Sequence, residues 1–91
     1  MEDLFLFHLN SGQKSLIGHD DKIGRGASCQ HIVEDDRASR EHAQIYIEGD
    51  QVFIMDLGGR NTTVLNKVKI FSGDKAELFE GDLIQVADQF Y

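Results

Sequence analysis

The sequence has no proline, only one cysteine and no long apolar run. Without proline there is no proline-rich linker, so we expect a single domain over residues 1–91. Cys29 has no second cysteine with which to form an internal disulfide, which favours a reducing compartment, cytosolic or nuclear. A membrane-spanning helix needs roughly 18 or more consecutive apolar residues. No stretch of the chain approaches that length, so we expect no membrane partner.

Basic residues are also scarce. The chain has nine lysines and arginines against sixteen aspartates and glutamates, and its formal net charge is -7. An acidic domain binds nucleic acid poorly, because affinity for the phosphate backbone depends on many cations. The first residues, Met1-Glu2-Asp3, are acidic, unlike the basic start of a signal peptide. We therefore predict a cytoplasmic protein that binds no nucleic acid, and any positive field on it must be local.

Short β-type runs separated by turns extend along the whole chain. The candidate strands are 4–9, 15–17, 21–23, 31–33, 43–48, 51–57, 63–65, 68–70, 75–79 and 83–86. The first of these is apolar enough for a buried strand, and hairpins are predicted around Gly49 and Gly81, with a tight turn at Asn66-Lys67. Regularly spaced short strands favour an all-β antiparallel sandwich or barrel. The last residues, 89–91, are also strand-like, so we expect the domain to be part of a longer protein.

The four arginines lie only in turn-like segments, at residues 24–26, 37–40 and 58–61. Arginines that served only solubility would be spread over strand faces and termini. In a sandwich, loops from distant parts of the chain gather at the two ends. Guanidinium groups that meet there can bind an anion through paired hydrogen bonds. The pattern therefore predicts an anion-binding site built from loops, although Arg25 considered alone could equally form a surface salt bridge.

Three polar residues in these segments have alternative interpretations. Ser39 can donate its hydroxyl to a phosphate oxygen, or it can be a nucleophile with His42 as its base. No acidic residue is placed to orient the histidine, and a structural His42 that bonds to loop backbone is the favoured interpretation. Asn61 can hydrogen-bond a ligand backbone or brace its own loop, and considered alone it favours bracing.

Two further site types receive little support. Cys29 and His31, with a distant His42, are too few ligands at too loose a spacing to predict a metal site. The glycines at residues 24–26 begin like a dinucleotide-binding loop but lack the third glycine and the following helix. We therefore expect no metal and no cofactor, and Cys29 is expected to be a small buried residue.

Four short motifs in order resemble the forkhead-associated (FHA) domain, over nearly the whole chain from about Leu4. They are Gly24-Arg25, Ser39-x-x-His42, Asp56-Leu57-x-x-x-Asn61-x-Thr63-x-Leu65-Asn66 and Leu78-x-x-Gly81-Asp82-x-Ile84. The resemblance implies an eleven-strand β-sandwich that binds phosphothreonine peptides through loops at one end, with a role in signalling through protein–protein interaction. The FHA family belongs to the readers of phosphorylated motifs by arginine clusters.

The resemblance also implies roles for individual residues. Arg25 and Ser39 are expected to contact the phosphate, with Arg40 and Arg60 as flanking phosphate contacts. Asn61 is expected to hydrogen-bond the peptide backbone.

Three other positions are also assigned by the resemblance. Arg37 is expected to contact the peptide three residues after the phosphothreonine and to favour an acidic residue there. Gly24 and His42 are expected to hold the loops. Thr62 departs from the family, which has a glycine at this position, and a β-branched residue tolerates positive φ poorly.

Three functions follow from these interpretations. The first is a non-catalytic module that binds a phosphothreonine-bearing protein or peptide. The second is a phospho-independent interaction or dimerisation module on the same fold. The third is a small hydrolase that uses Ser39 and His42, and it is the least expected because so short a chain has little material to enclose a substrate. We therefore expect no catalytic residue. The sequence does not specify the oligomeric state, and a monomer is the favoured expectation.

Overall fold

A computed structural model describes residues 3–91 as eleven short strands, with no helix among them. Residues 1 and 2 of the predicted domain lie outside this described range. The strands are β1 (Phe5–Phe7), β2 (Lys14–Leu16), β3 (Lys22–Gly24), β4 (His31–Ile32), β5 (Ala43–Glu48), β6 (Gln51–Asp56), β7 (Thr63–Leu65), β8 (Val68–Ile70), β9 (Lys75–Leu78), β10 (Ile84–Val86) and β11 (Gln89–Phe90). Within residues 3–91 there is no helix long and apolar enough to cross a membrane.

The strands form two main sheets and one ribbon. The larger sheet has the order β4-β3-β5-β6-β9, the smaller has the order β11-β10-β7-β8, and β1 pairs with β2 alone. The predicted all-β sandwich is therefore confirmed. One pairing departs from the antiparallel prediction, because the two-residue β4 runs parallel to β3 after a short loop.

The core lies between the sheets and comes from alternating positions. Ile23, Ile45 and Ile54 are fully buried on neighbouring strands of the larger sheet, and Val86 faces them from the smaller one. The predicted β5–β6 hairpin is confirmed, and it pairs Glu48 with Gln51 across the turn. Alternation with period two places every second side chain of these strands in the core, as expected for a sheet with one buried face.

The predicted hairpin around Gly81 is wrong. β9 pairs with β6 in the larger sheet, whereas β10 pairs with β7 and β11 in the smaller one. The connection over residues 79–83 therefore crosses between the sheets. Asp82 accepts a hydrogen bond from the Phe79 backbone at 2.8 Å and another from the Asn66 side chain at 3.0 Å. These bonds fix the connection to the β7–β8 turn instead of closing a hairpin.

That β7–β8 turn is the tight turn predicted at Asn66-Lys67, and it is confirmed. Asn66 and Lys67 have φ values of 50° and 70°. Two successive left-handed residues are typical of the two-residue turn that joins twisted antiparallel strands.

The first strand is shorter and less buried than predicted. β1 spans Phe5–Phe7, and only Leu6 is buried, whereas Phe5 and Phe7 remain 48% and 47% exposed. The reason is that β1 belongs to a two-stranded ribbon, which packs one face on the body of the domain. The other face meets no covering element within residues 3–91.

The pairing of Ala43 explains how the arginine segments come together. Ala43, the first residue of β5, pairs with Ile23 near the end of β3 and with Asp56 at the end of β6. The loops that follow β3, precede β5 and follow β6 therefore leave the sheet at the same end. These three loops carry the four arginines.

Candidate functional site

Backbone hydrogen bonds join the first two arginine loops. The Arg25 N–H donates to the Ser39 carbonyl at 2.9 Å, and the Gly26 N–H donates to the Arg40 carbonyl at 3.0 Å. The Arg25 Nε also donates to the Ala38 carbonyl at 3.1 Å. This last bond anchors the Arg25 side chain, which is exposed, and leaves its two terminal nitrogens without a hydrogen bond or ion pair within residues 3–91. Arg25, Ser39 and Arg40 are thus brought together.

Gly24 is where these loops approach most closely. A β-carbon there would overlap the Arg40 carbonyl oxygen and lie 2.9 Å from the Ser39 carbonyl oxygen, so no side chain fits. The Arg40 carbonyl also accepts a bond from the Cys29 thiol at 3.0 Å. Burial raises the pKa of the Cys29 thiol, which keeps it protonated as a donor. The Arg40 backbone is therefore held from two sides.

The third loop contacts the second through Gly59 and Asn61. A β-carbon on Gly59 would overlap the Ser39 hydroxyl oxygen, so Ser39 lies directly against this glycine. The Asn61 Nδ2 donates to the Arg37 carbonyl at 2.8 Å. In this structure Asn61 therefore braces one loop against another. Arg60, beside it, is exposed and makes no ion pair within the described residues.

A buried carboxylate that the sequence analysis missed organises this third loop. Asp56 is 1% exposed. It accepts hydrogen bonds from the Gly58 N–H at 3.0 Å, the Thr63 N–H at 2.9 Å and the Thr63 hydroxyl at 2.7 Å. These bonds fix both ends of the segment that carries Arg60 and Asn61. In the sequence, such a carboxylate is indicated by an acidic residue at an inward position of an apolar strand, shortly before two glycines.

Thr62 does not adopt the positive φ that the glycine of the family pattern would allow. The non-glycine residues with positive φ in the described range are Asp20, Asn66, Lys67 and Ala87. The left-handed residue of this loop is instead Gly58, with a φ of 87°. The loop around Asn61 thus accommodates a β-branched residue without backbone strain there.

His42 lies beneath the loops and is completely buried. Its Nδ1 accepts a hydrogen bond from the Ser39 backbone N–H at 3.1 Å, which places the ring proton on Nε2. Nε2 is buried without a hydrogen bond of good geometry among residues 3–91. The nearby Thr62 backbone nevertheless acts to raise the pKa of the ring. The His42 main chain joins β3 to the third loop through Ile23 and Leu57. The ring thus meets the Ser39 backbone, not its hydroxyl.

Burial lowers the pKa of His42 from 6.5, with the Asp56 charge and the Thr62 backbone acting in the opposite direction. Unfolded His42 therefore binds a proton below about pH 6.5 that the folded residue does not, so this contribution to stability is complete above that pH and declines below it. We expect the free energy of unfolding to fall as the pH drops below about 6.5, by at most about 1.4 kcal/mol per pH unit from this group. Urea unfolding at several pH values measures the slope.

The matched variants are His42→Gln and His19→Gln, since His19 is exposed. His42→Gln should flatten the dependence on pH, even though it lowers stability overall. An equal slope in both variants would contradict this assignment.

Arg37 differs from the other three arginines because its charge is already paired. Its guanidinium bonds Asp35 through Nε and a terminal nitrogen, each at 3.1 Å, and also contacts Asp88. Hydrogen bonds from Arg37 hold the pKa of Asp35 at about 2, and the bonds that Arg37 donates to Asp35 and Asp88 raise the pKa of Arg37. Within the described residues Arg25, Arg40 and Arg60 form no ion pair.

Both ring nitrogens of His31 form hydrogen bonds to residues other than Cys29. Its Nε2 bonds Asp21 at 2.9 Å and its Nδ1 bonds the Ser15 hydroxyl at 3.2 Å. The Ser15 bond joins the β1–β2 ribbon to the larger sheet. Over residues 3–91 no group of three or more histidine, cysteine or acidic side chains is arranged to hold a metal.

Comparison with known proteins gives one consistent family. The sequence profile of the FHA domain matches residues 22–87. The chain is 32% identical over 66 residues to the protein FraH of Nostoc sp. and 30% identical over 78 residues to the glycogen accumulation regulator GarA of Mycolicibacterium smegmatis. These matches cover 72% and 85% of this chain, but only 23% and 48% of the two relatives. The chain thus spans about half the length of these relatives or less.

A solved structure gives the same result for the fold. It comes from a structural and functional analysis of phosphothreonine-dependent FHA domain interactions, and it superimposes on the chain with a TM-score of 0.89. The two are 25% identical, and the match covers 98% of this chain and 92% of the other.

Proposed function

This chain belongs to the FHA domain family, and we propose that it binds phosphothreonine-bearing proteins through the three loops that carry Arg25, Ser39 and Asn61. FHA domains are phosphothreonine-binding modules, and structural neighbours are known in complex with phosphopeptides. The proposal assigns that activity to this chain and to particular residues.

The observation that carries the proposal is the convergence of the three loops that hold the unpaired arginines and Ser39. The terminal nitrogens of Arg25 are unbonded within the described residues, and the Arg25 backbone is hydrogen-bonded to that of Ser39, on a chain with a net charge of -7. A phosphothreonine carries about -1.5 to -2 charges and three strong acceptor oxygens. A planar guanidinium fork and a neighbouring hydroxyl supply donors of the geometry that those oxygens require.

Each residue has a defined role in the proposal. Arg25 and Ser39 donate to the phosphate, and Arg40 and Arg60 add positive charge beside it. Asn61 uses its Nδ2 for the Arg37 carbonyl, so its Oδ1 is the atom available to accept an N–H from the peptide backbone. Bracing a loop and binding a peptide are therefore compatible uses of the same side chain.

Arg37 is proposed to contact the peptide beyond the phosphate. Its pairing with Asp35 and Asp88 means that an acidic peptide residue must replace or share one of these partners. Asp88 is 59% exposed, whereas Asp35 is 7% exposed, so Asp88 is the partner that a ligand can displace. The preference for an acidic residue at this position should consequently be modest.

The proposed function involves binding without catalysis. The His42 Nδ1 accepts from the Ser39 backbone, so it cannot take a proton from the Ser39 hydroxyl in this arrangement. The ligand must also come from elsewhere, since Thr62 and Thr63 are the only threonines of the chain and both belong to the third loop or its end. Thr63 is fully buried.

The test is a titration with two degenerate peptide libraries that differ only in whether the central threonine is phosphorylated. We expect binding of the phosphorylated library alone, with an affinity at least about a hundredfold higher, because the charge-assisted bonds require the phosphate. Binding should weaken with added salt, since the site is exposed and its charges are screened. Isothermal titration calorimetry measures both effects.

The phospho-independent alternative makes the opposite prediction. Equal binding of both libraries would overturn the proposal. A stable dimer in light scattering, with a melting temperature unaffected by phosphate, would favour an interaction module that does not read phosphorylation.

A further inference from the structure

A second concave surface lies at the end of the domain away from the arginines. It is a groove of about 680 Å³ between β1 and the connection over residues 79–83. Asp50 from the β5–β6 turn also lines it. That turn is the end of β5 and β6 opposite Ala43 and Asp56, where the arginine loops begin. The groove and the proposed phosphate site are therefore separate surfaces.

The floor and walls of this groove are apolar and open to solvent. Phe5 and Phe7 from β1 are 48% and 47% exposed, Leu9 after the strand is 54% exposed, and Phe79 on the facing connection is 64% exposed. Single exposed apolar residues are ordinary, but four large ones around one depression form a patch that is typical of an interaction site.

The charged residues that line the groove are all acidic. Asp3, Asp50, Glu77, Glu80 and Asp82 all line it, and its lining contains no lysine, arginine or histidine. Asp82 is engaged in the hydrogen bonds that fix the 79–83 connection. Asp50, Glu77 and Glu80 form no ion pair with any residue in the range 3–91. Several uncompensated carboxylates around an apolar floor favour a ligand that is cationic and apolar at once.

We propose that this groove docks a cationic amphipathic polypeptide segment of a partner protein. Its aromatic or aliphatic side chains would fill the depression between Phe7 and Phe79, and its lysines or arginines would pair with Glu77, Glu80 and Asp50. The exposed phenylalanine rings also suit cations, and Lys14 already places its Nζ 4.5 Å from the centre of the Phe5 ring.

The charge of the rim argues against two other occupants. A second copy of the chain would bring one acidic rim against another, which costs free energy unless cations intervene. A membrane surface with anionic lipids would be repelled for the same reason. A basic peptide segment satisfies both the carboxylates and the apolar floor, and a volume of several hundred Å³ is sufficient for two or three side chains.

The probe for this proposal is a fluorescein-labelled peptide of about twelve residues in which lysine alternates with leucine or phenylalanine. Two reference peptides replace either every lysine with glutamate or every apolar residue with serine. The whole 91-residue chain is titrated by fluorescence anisotropy, and the contacted residues are mapped by changes in amide NMR shifts. We expect saturable binding of the first peptide only, with shift changes at β1 and residues 77–83 and none at the arginine loops.

Two pairs of variants make the test specific. Phe79→Ser and Glu80→Lys should each weaken binding at least about tenfold, since each removes a central contact of the groove. Phe71→Ser and Asp74→Lys are matched controls of similar exposure that lie outside the groove, and they should leave the affinity unchanged. All four positions are on the surface, so the folded state should persist.

Several outcomes would overturn the proposal. Equal weakening by Phe71→Ser or Asp74→Lys would indicate non-specific attraction to exposed apolar or acidic residues outside the groove. Shift changes at the arginine loops would place the peptide at the other site. Absence of saturable binding, or a concentration-dependent dimer in which Phe79 is buried, would likewise reject a cationic peptide as the occupant.

Discussion

Replacing Arg25 with alanine should lower the affinity for a phosphothreonine peptide by about a hundredfold. Arg25 supplies two unbonded guanidinium nitrogens beside Ser39, and its Nε bond to the Ala38 carbonyl sets their direction. Each hydrogen bond to a charged group contributes about 1.5–3 kcal/mol, so the loss of two at the lower end of that range, about 3 kcal/mol, corresponds to roughly that factor. Titration calorimetry with the phosphorylated library measures the loss.

Two further variants identify the cause of that loss. Arg25→Lys keeps the charge but not the planar fork, so we expect an intermediate affinity. Lys69→Ala removes an exposed cation from β8 and should have little effect. Affinity that is unchanged in Arg25→Ala would refute the assigned role, provided that thermal unfolding shows the variant to be folded.

Replacing Asp56 with alanine should lower the free energy of unfolding by about 3–5 kcal/mol. The substitution leaves three donors without an acceptor inside the protein, namely the Gly58 N–H, the Thr63 N–H and the Thr63 hydroxyl. An unsatisfied buried polar group costs about 1–3 kcal/mol, and a small domain has only about 5–15 kcal/mol in total. Urea unfolding monitored by circular dichroism gives the difference.

The comparison variants for Asp56 separate charge from hydrogen bonding. Asp56→Asn keeps one acceptor oxygen but turns an amide donor towards other donors, so it should be destabilising as well. Asp74→Ala removes an exposed carboxylate and should change stability by less than about 0.5 kcal/mol. A loss below about 1 kcal/mol in Asp56→Ala would mean that water replaces the carboxylate in the third loop.

Local patterns predicted individual strands well, because they depend only on neighbouring residues. The bounds of β5, β7 and β8 were predicted from alternation and turn residues alone. The pairing of β9 was not, since the choice between a hairpin and a crossing depends on Asn66, which lies far from Asp82 in the sequence. The exposure of Phe5 was missed for a related reason: an apolar run does not reveal whether a second element covers it.

The candidate site was also predictable only in those features that do not depend on distant contacts. The clustering of the arginines is visible in the sequence, and the family resemblance orders them. The pairing of Arg37 with Asp88 could not be predicted, because it depends on how the chain returns after β10. Asp56 belongs to one of the motifs, but its role could not be predicted, because it depends on the burial of the strand end.

The β1–β2 ribbon has a consequence for motion within the folded state. It buries only Leu6 fully and is attached through contacts such as the Ser15–His31 bond and the Leu9 N–H bond to the Phe90 carbonyl. An element with so few buried contacts opens at a lower free energy than the core strands do. Because β1 forms one wall of the groove, that wall exists only while the ribbon is closed, and a ligand in the groove would hold it closed. The arginine loops, which stem from β3, β5 and β6, would keep their arrangement through such openings.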